Sequence, residues 1–319
     1  MKLNKLLYHI GEKVNCIPTG IASLDAAIGG GLLIGNISVM ASRPAMGKTS
    51  FAMTVVRNIG IINKTPMAVI SLEDDSEYIA KRLLATEYGW NAVSRIMKEQ
   101  VNLTAEQSER IAMLERIGFH RECISNSDFI EKIKEAPVWI EHNLCVNMEE
   151  IVSKIERLKH ENDIQLVVID NFGNIAMDGY ASDKELAIQK LLHTAERLKI
   201  AILVTARVLR SVESRGGNKK PMLYDMENMS SLENYASLIM FLYRPEYYQI
   251  YEDEYGSTIR MADVVIARNR RGNSGEVRLE FVNSARFDSL QTVAMPSFYP
   301  FENNRSVFPS MMNEADCMF

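Results

Sequence analysis

Apolar residues follow two rhythms along this chain. Short unbroken runs alternate with longer stretches in which apolar positions recur every three or four residues. The unbroken runs are "NISVMAS" (36–42), "PMAVISLE" (66–73), "PVWIEH" (137–142), "IQLVVID" (164–170), "IAILVTA" (200–206) and "YASLIMFLYR" (235–244), and each predicts a strand. Strands with one wet face alternate apolar and polar residues. These do not, so the pattern predicts an α/β fold whose mostly parallel sheet has helices on both faces. Helical spacing marks residues 48–60, ending at Gly60, and also 75–89, 147–162 and 184–199. Residues 91–136 read as polar helices packed on the outside. "ADVVIARNR" (262–270) and "EVRLEFVN" (276–283), separated by "RGNSG", predict an antiparallel hairpin added to the sheet edge. The pattern thus divides the chain into a short arm (1–16), one large domain (17–283) and a poorly patterned tail (284–319).

Composition narrows the setting. The chain has 319 residues, 47% hydrophobic and 24% charged, with a formal net charge of −5. A globally basic nucleic-acid binder is therefore not indicated, and any such surface must be local or built by several subunits. The four cysteines, Cys16, Cys123, Cys145 and Cys317, form no C-x-x-C pair. They read as free thiols in a reducing compartment. No run approaches the length of a membrane span, and no signal-peptide core stands at the start, so the expected location is cytoplasmic.

The chemistry starts at "SRPAMGKTS" (42–50). A phosphate loop reads G-x-x-x-x-G-K-[ST], and here Ser42 holds the place of the first glycine. The setting is right: a predicted strand precedes the stretch and a predicted helix follows it. In such a loop Ser42, Arg43, Pro44, Ala45, Met46 and Gly47 would curl their backbone around phosphates at a helix N-terminus. Lys48 would reach the β- and γ-phosphates, Thr49 would offer its hydroxyl to Mg²⁺, and Ser50 would complete the first turn. The plainer alternative is an accidental GKT at a helix start. Asp170 ends a second apolar run and suits a magnesium partner, although a strand-end aspartate capping a turn is commoner. Glu73, after "VISL", is placed to polarise an attacking water. Asp74 and Asp75 beside it suit a helix cap better.

"RPAMGKTSFA", "ISLED", "LVVIDN", "SSLENYASLIMFLYRPEYY" and "VVIARNRRGNSGEVRLEF" together resemble the C-terminal, RecA-like motor domain of the DnaB-type replicative helicases over residues 17–283. The resemblance implies a P-loop NTPase core and a homohexameric ring around single-stranded DNA, with ATP and Mg²⁺ between subunits. One subunit would supply residues 42–49, Glu73 and Asp170. The neighbour would supply Arg268 and Arg270, in "ARNRRG", as cations for the γ-phosphate. The resemblance also points to a DNA-contacting loop at "RVLRSVESRGGNKKPMLYD" (207–225), with Arg207, Arg210, Arg215, Lys219 and Lys220 as its cations. An earlier loop, 174–184, is not basic. A helicase loader or primase is the implied protein partner.

The chain departs from the family in places. Ala206 and Arg207 stand where Ser-Gln is usual, and Glu227 and Asn228 replace a cation and an acid. The sequence also reads as a motor without the family's helical collar. These departures keep an alternative open: a ring-forming assembly or loading factor with weak or no unwinding. A filament-forming recombinase is a third reading, and the "ARNRRGNSG" hairpin argues against it.

Overall fold

The computed structural model describes residues 15–89, 93, 128–142, 147–175, 181–226, 230–290 and 299–300. Its framework is one large sheet. A small antiparallel pair precedes it, β1 (Cys16–Ile17) with β2 (Leu32–Leu33). The apolar runs then give β3 (Ile37–Ser42), β4 (Met67–Ser71), β5 (Val138–His142), β6 (Leu166–Asp170), β7 (Ala201–Arg207) and β8 (Leu238–Tyr243). These six strands pair in parallel, in the order β8-β3-β7-β6-β4-β5. A two-stranded turn, β9 (Glu252–Asp253) with β10 (Gly256–Ser257), leads to the long hairpin β11 (Met261–Asn269) and β12 (Gly275–Val282). That hairpin adds antiparallel beside β8, as the sequence predicts.

Burial on both faces explains the unbroken runs. Met40 packs into the cluster on one side of the sheet, Val39 and Ala41 into the cluster on the other. The helix Lys48–Val56 covers the first side, and the helices Met148–Asn162 and Ala181–Leu198 cover the second. Local chemistry sets their starts. Asp75 accepts from the Tyr78 amide to begin the helix Ser76–Tyr88, and Asn147 accepts from Glu150 to begin Met148–Asn162.

Two expectations change. The helix after the phosphate loop does not stop at Gly60 but continues as a π-helical turn, Arg57–Ile62. Gly60 marks close packing instead: a Cβ there would lie 2.4 Å from Val138 Cγ2 and 2.8 Å from Met67 Sδ. The region after 283 is not all tail. β13 (Arg286–Ser289) pairs with β12, and Tyr299–Pro300 also pairs with that strand. Phe287 of β13 is fully buried and stacks on Phe281. Of the outer segment 91–136, residue 93 and the helix Asp128–Lys134 with the turn after it are described. Residues 1–14 of the arm, residues 227–229 with Glu227 and Asn228, residues 176–180 of the loop 174–184, Cys123, Cys145 and Cys317 lie outside the described residues.

Candidate nucleotide site

The carboxyl ends of β3, β4, β6, β7 and β8 meet at one edge of the sheet, where open α/β sheets hold their ligands. A cavity of about 660 Å³ opens there. Five cationic residues (Arg43, Lys48, Arg82, Arg207 and Arg244) and one carboxylate, Glu73, line it. Arg43, Arg82 and Arg244 are paired with Glu213, Asp74 and Glu246, so Lys48 and Arg207, beside Glu73, carry the positive charge nearest the loop.

The phosphate loop forms its floor. Ala45 (φ 65°) and Gly47 (φ 98°) take the left-handed turn conformations, while Ser42 is the last residue of β3 and needs none. This explains why a serine is accommodated where the loop pattern has glycine. Ser42 is fully buried and its hydroxyl donates to the Arg43 carbonyl at 2.9 Å. Met46, 1% exposed, pins the loop to the core, and Pro44, Thr49 and Ser50 line the cavity. The helix then begins at Lys48, so its first free N–H groups face the cavity.

Lys48, Glu73 and Asp170 converge as expected. Lys48 Nζ lies 3.6 Å from Glu73 Oε2 and 3.9 Å from Asp170 Oδ1. Asp170 is 1% exposed and accepts from the Thr205 hydroxyl. Glu73 sits two residues beyond β4, held by the Asn171 side-chain amide at 3.2 Å and by Arg207 at 3.2 Å. Partial burial pushes its carboxyl up, but Lys48, Asn171 and Arg207 outweigh that and hold it below the usual glutamate range. Among the described residues no cluster of three His, Cys, Asp or Glu could hold a metal alone. Thr49 lines the cavity and Asp170 lies 3.9 Å from Lys48 Nζ, so an oxygen of each is near the loop.

The structure separates the other expected cations. Arg207 belongs to this cavity, beside Ser42 in register. Arg43 turns away from the loop it belongs to: Nε lies 2.9 Å from Glu213 and an NH group donates to the Val208 carbonyl at 2.8 Å. In the loop after β7, Arg215 pairs with buried Asp225 at 2.5 Å. Lys219 bonds the Glu213 carbonyl, and Lys220 lies between Asp263 at 3.1 Å and Glu276 at 2.5 Å. Arg210 alone of the five expected DNA cations is largely in solvent, its side chain 89% exposed. Arg268 and Arg270 are elsewhere. Asn269 pairs with Leu238, which pairs with Ser38, four residues before Ser42. They therefore stand at the other end of the sheet, roughly 13 Å along the strand from the phosphate loop. Their guanidinium groups donate to the carbonyls of Glu233 and Asn234.

Motif spacing gives no notice of Arg244 and Phe281. Both line the cavity, with the Arg244 guanidinium 4.4 Å from the Phe281 ring centre. The usable signal is position: Arg244 directly follows β8, a parallel strand next to β3.

Comparisons with known proteins agree with this fold. The profile of the family described as DnaB-like helicase C terminal domain matches residues 16–289. Among curated relatives, the replicative DNA helicase DnaB of Geobacillus stearothermophilus is 26% identical over 300 residues, covering 90% of this chain and 61% of that protein. The replicative DNA helicase DnaC of Bacillus subtilis is 29% identical, covering 86% and 57%. A probable plasmid replicative DNA helicase of Chlamydia psittaci is 28% identical, covering 86% and 55%. The chain thus spans a little over half the length of these relatives. Among solved structures, a DnaB-like replicative helicase described with its interactions with primase superposes with a TM-score of 0.73 at 25% identity, covering 91% of this chain and 67% of that one. A second solved structure, described as an ATPase domain, superposes at 0.71 and 24% identity, covering 91% and 96%, and shows the same RecA-like fold.

Proposed function

Because this chain belongs to the DnaB-like helicase C-terminal domain family, we propose that it is an ATP-driven motor on single-stranded DNA, working as a ring of identical subunits, a hexamer as in the resemblance. The observation that carries the reading is the convergence of Lys48, Thr49, Glu73 and Asp170 on one cation-lined cavity at the carboxyl edge of the sheet.

In this reading the loop amides and Lys48 hold the β- and γ-phosphates, and the nucleoside extends toward Arg244 and Phe281, whose stacked pair offers a flat wall to a base. Thr49 and Asp170 would hold a Mg²⁺, which would supply charge neutralisation at the phosphate oxygens. Glu73 orients the attacking water and receives its proton as the bond from the γ-phosphorus to the β–γ bridging oxygen breaks. In the nucleotide-free site Lys48 and Arg207 depress the basicity of Glu73. Moving Lys48 to the phosphates withdraws one of these contacts, so the base strengthens when substrate is present. Arg207, at 3.2 Å from Glu73, acts in the nucleotide site rather than on DNA.

Arg268 and Arg270 act from the neighbouring subunit, because within one chain they stand at the far end of the sheet. Such cations stabilise the charge of phosphoryl transfer. Single-stranded DNA contacts the loop after β7, with Arg210 as its exposed cation. A loader or primase is the further partner this reading expects.

The test is ATP hydrolysis with and without single-stranded DNA. The expected result is stimulation by DNA, and a loss in Lys48→Ala of on the order of a hundred-fold or more. Hydrolysis intact in Lys48→Ala would refute the site. Hydrolysis that ignores DNA would favour an assembly or loading role over a motor.

A further inference from the structure

The loop between β7 and the helix Ser230–Tyr235 carries a feature that its basic composition hides. Tyr224 is 68% exposed, more than any other exposed large apolar or aromatic side chain among the described residues. It does not stand alone. An isolated bridge between Val208 and Met226, with the Leu209 amide bonded to the Asp225 carbonyl at 2.7 Å, lays residues 208–210 beside 224–226. Met222 (44% exposed) touches the ring's edge, where the Tyr224 hydroxyl donates to Met222 Sδ at 3.2 Å. Beneath it lies a fixed cation. The Arg215 guanidinium is 5.3 Å from the ring centre and is held there by the buried Asp225 carboxylate and the Lys220 carbonyl. Arg210, next to Leu209, stays in solvent.

We propose that Tyr224, backed by Arg215, is a stacking platform for one base of single-stranded DNA, with Arg210 on an adjacent phosphate. The proposal rests on the reading of this chain as a single-stranded DNA motor and adds a contact to it. A water-facing ring gains by covering its open face, and every base offers a π-face whatever the sequence. Electrostatics selects the occupant. Tyr251 and Tyr255 share their segment with Glu252, Asp253 and Glu254, which would repel a phosphate chain, and the Arg278 guanidinium behind Tyr255 is itself held between Asp253 and Asp263. Tyr224 has Arg215 behind its ring and, on the adjoining segment, Arg210 in solvent. Its loop is also tied to the nucleotide site, since Arg43 of the phosphate loop bonds both Val208 and Glu213. A base held on Tyr224 therefore loads a segment that the phosphate loop grips directly.

The experiment compares two probes on the intact protein with nucleotide and Mg²⁺: an oligothymidylate, and an abasic sugar-phosphate strand of the same length. Binding is followed by fluorescence anisotropy for the wild type, Tyr224→Ala and Tyr224→Trp, with assembly size measured alongside without DNA. Tyr224→Ala is expected to weaken oligothymidylate binding on the order of ten-fold, to leave abasic binding close to wild type, and to be rescued by Tyr224→Trp. Equal loss on both probes, or no loss on either, overturns the stacking role. A changed assembly size in Tyr224→Ala also overturns it, by showing that the ring packs on another copy of the chain. If the wild type binds neither probe, the motor reading itself fails, and this inference with it.

Discussion

Glu73 presents one carboxylate oxygen to Lys48, at 3.6 Å, and the other to Arg207, at 3.2 Å. In the free site the depressed carboxyl stays ionised below the usual glutamate range, so kcat/KM for hydrolysis, which reports the free enzyme, should persist into mildly acidic solution. In Arg207→Gln one of the lowering contacts is gone and partial burial, which raises the pKa, is less opposed. The acidic limb of the ATPase profile should then move to higher pH, and Arg207→Lys should move it partly back. A limb that does not move would remove Arg207 from the site. At this scale the sequence displays Lys48, Thr49, Asp170 and Glu73, because loop spacing and strand ends are local signals. It cannot display the Arg207–Glu73 pair, whose members lie 134 residues apart. Nor can spacing separate a cavity arginine from a solvent one: Arg207, Arg210 and Arg215 look alike in the sequence and meet three different environments.

Among elements, β13 departs most from the sequence pattern. "RFDS" is short and half charged, so no alternation announces a strand. Pairing with β12 nevertheless carries Phe287 under the phosphate loop, where a Cβ on Gly47 would lie 3.0 Å from the ring edge. The strand thus supports the turn that holds the phosphates. Phe287→Ala should cost about 3–5 kcal/mol in thermal or denaturant unfolding, and should weaken nucleotide binding in the folded fraction. Binding of wild-type strength would show that the loop holds its shape without this support. The long strands and the β11–β12 hairpin are legible because burial on two faces writes a continuous apolar run. The π-helical turn is not, since Gly60 carries the same letter whether it ends a helix or lets one approach a sheet.

At the scale of the whole molecule, the function proposed above makes the site of one chain incomplete. One chain gathers the phosphate loop and the carboxylates at one end of the sheet and keeps Arg268 and Arg270 at the other. Head-to-tail association closes such a gap and generates rings when the rotation closes. Arg270→Ala should therefore abolish most hydrolysis while leaving nucleotide binding largely intact. Mixing it with Lys48→Ala, itself inactive, should restore partial hydrolysis, because some interfaces then pair an intact phosphate loop with an intact Arg270. No recovery on mixing, with mixed assemblies present by size, would mean that the arginine does not act across the interface.

Local sequence was enough for the α/β class, the strands of the parallel sheet, the edge hairpin and the strand–turn–helix setting of residues 42–50. Each of these is written within a few consecutive residues, as periodicity, a turn or a strand end. What each cation meets came from long-range packing alone. It set Lys220 between Asp263 and Glu276, Arg215 against Asp225, and Arg244 over Phe281, and it left Tyr224 in water. Charge is a property of the residue. Burial and partnership depend on chain segments far apart in sequence, and no local spacing encodes them.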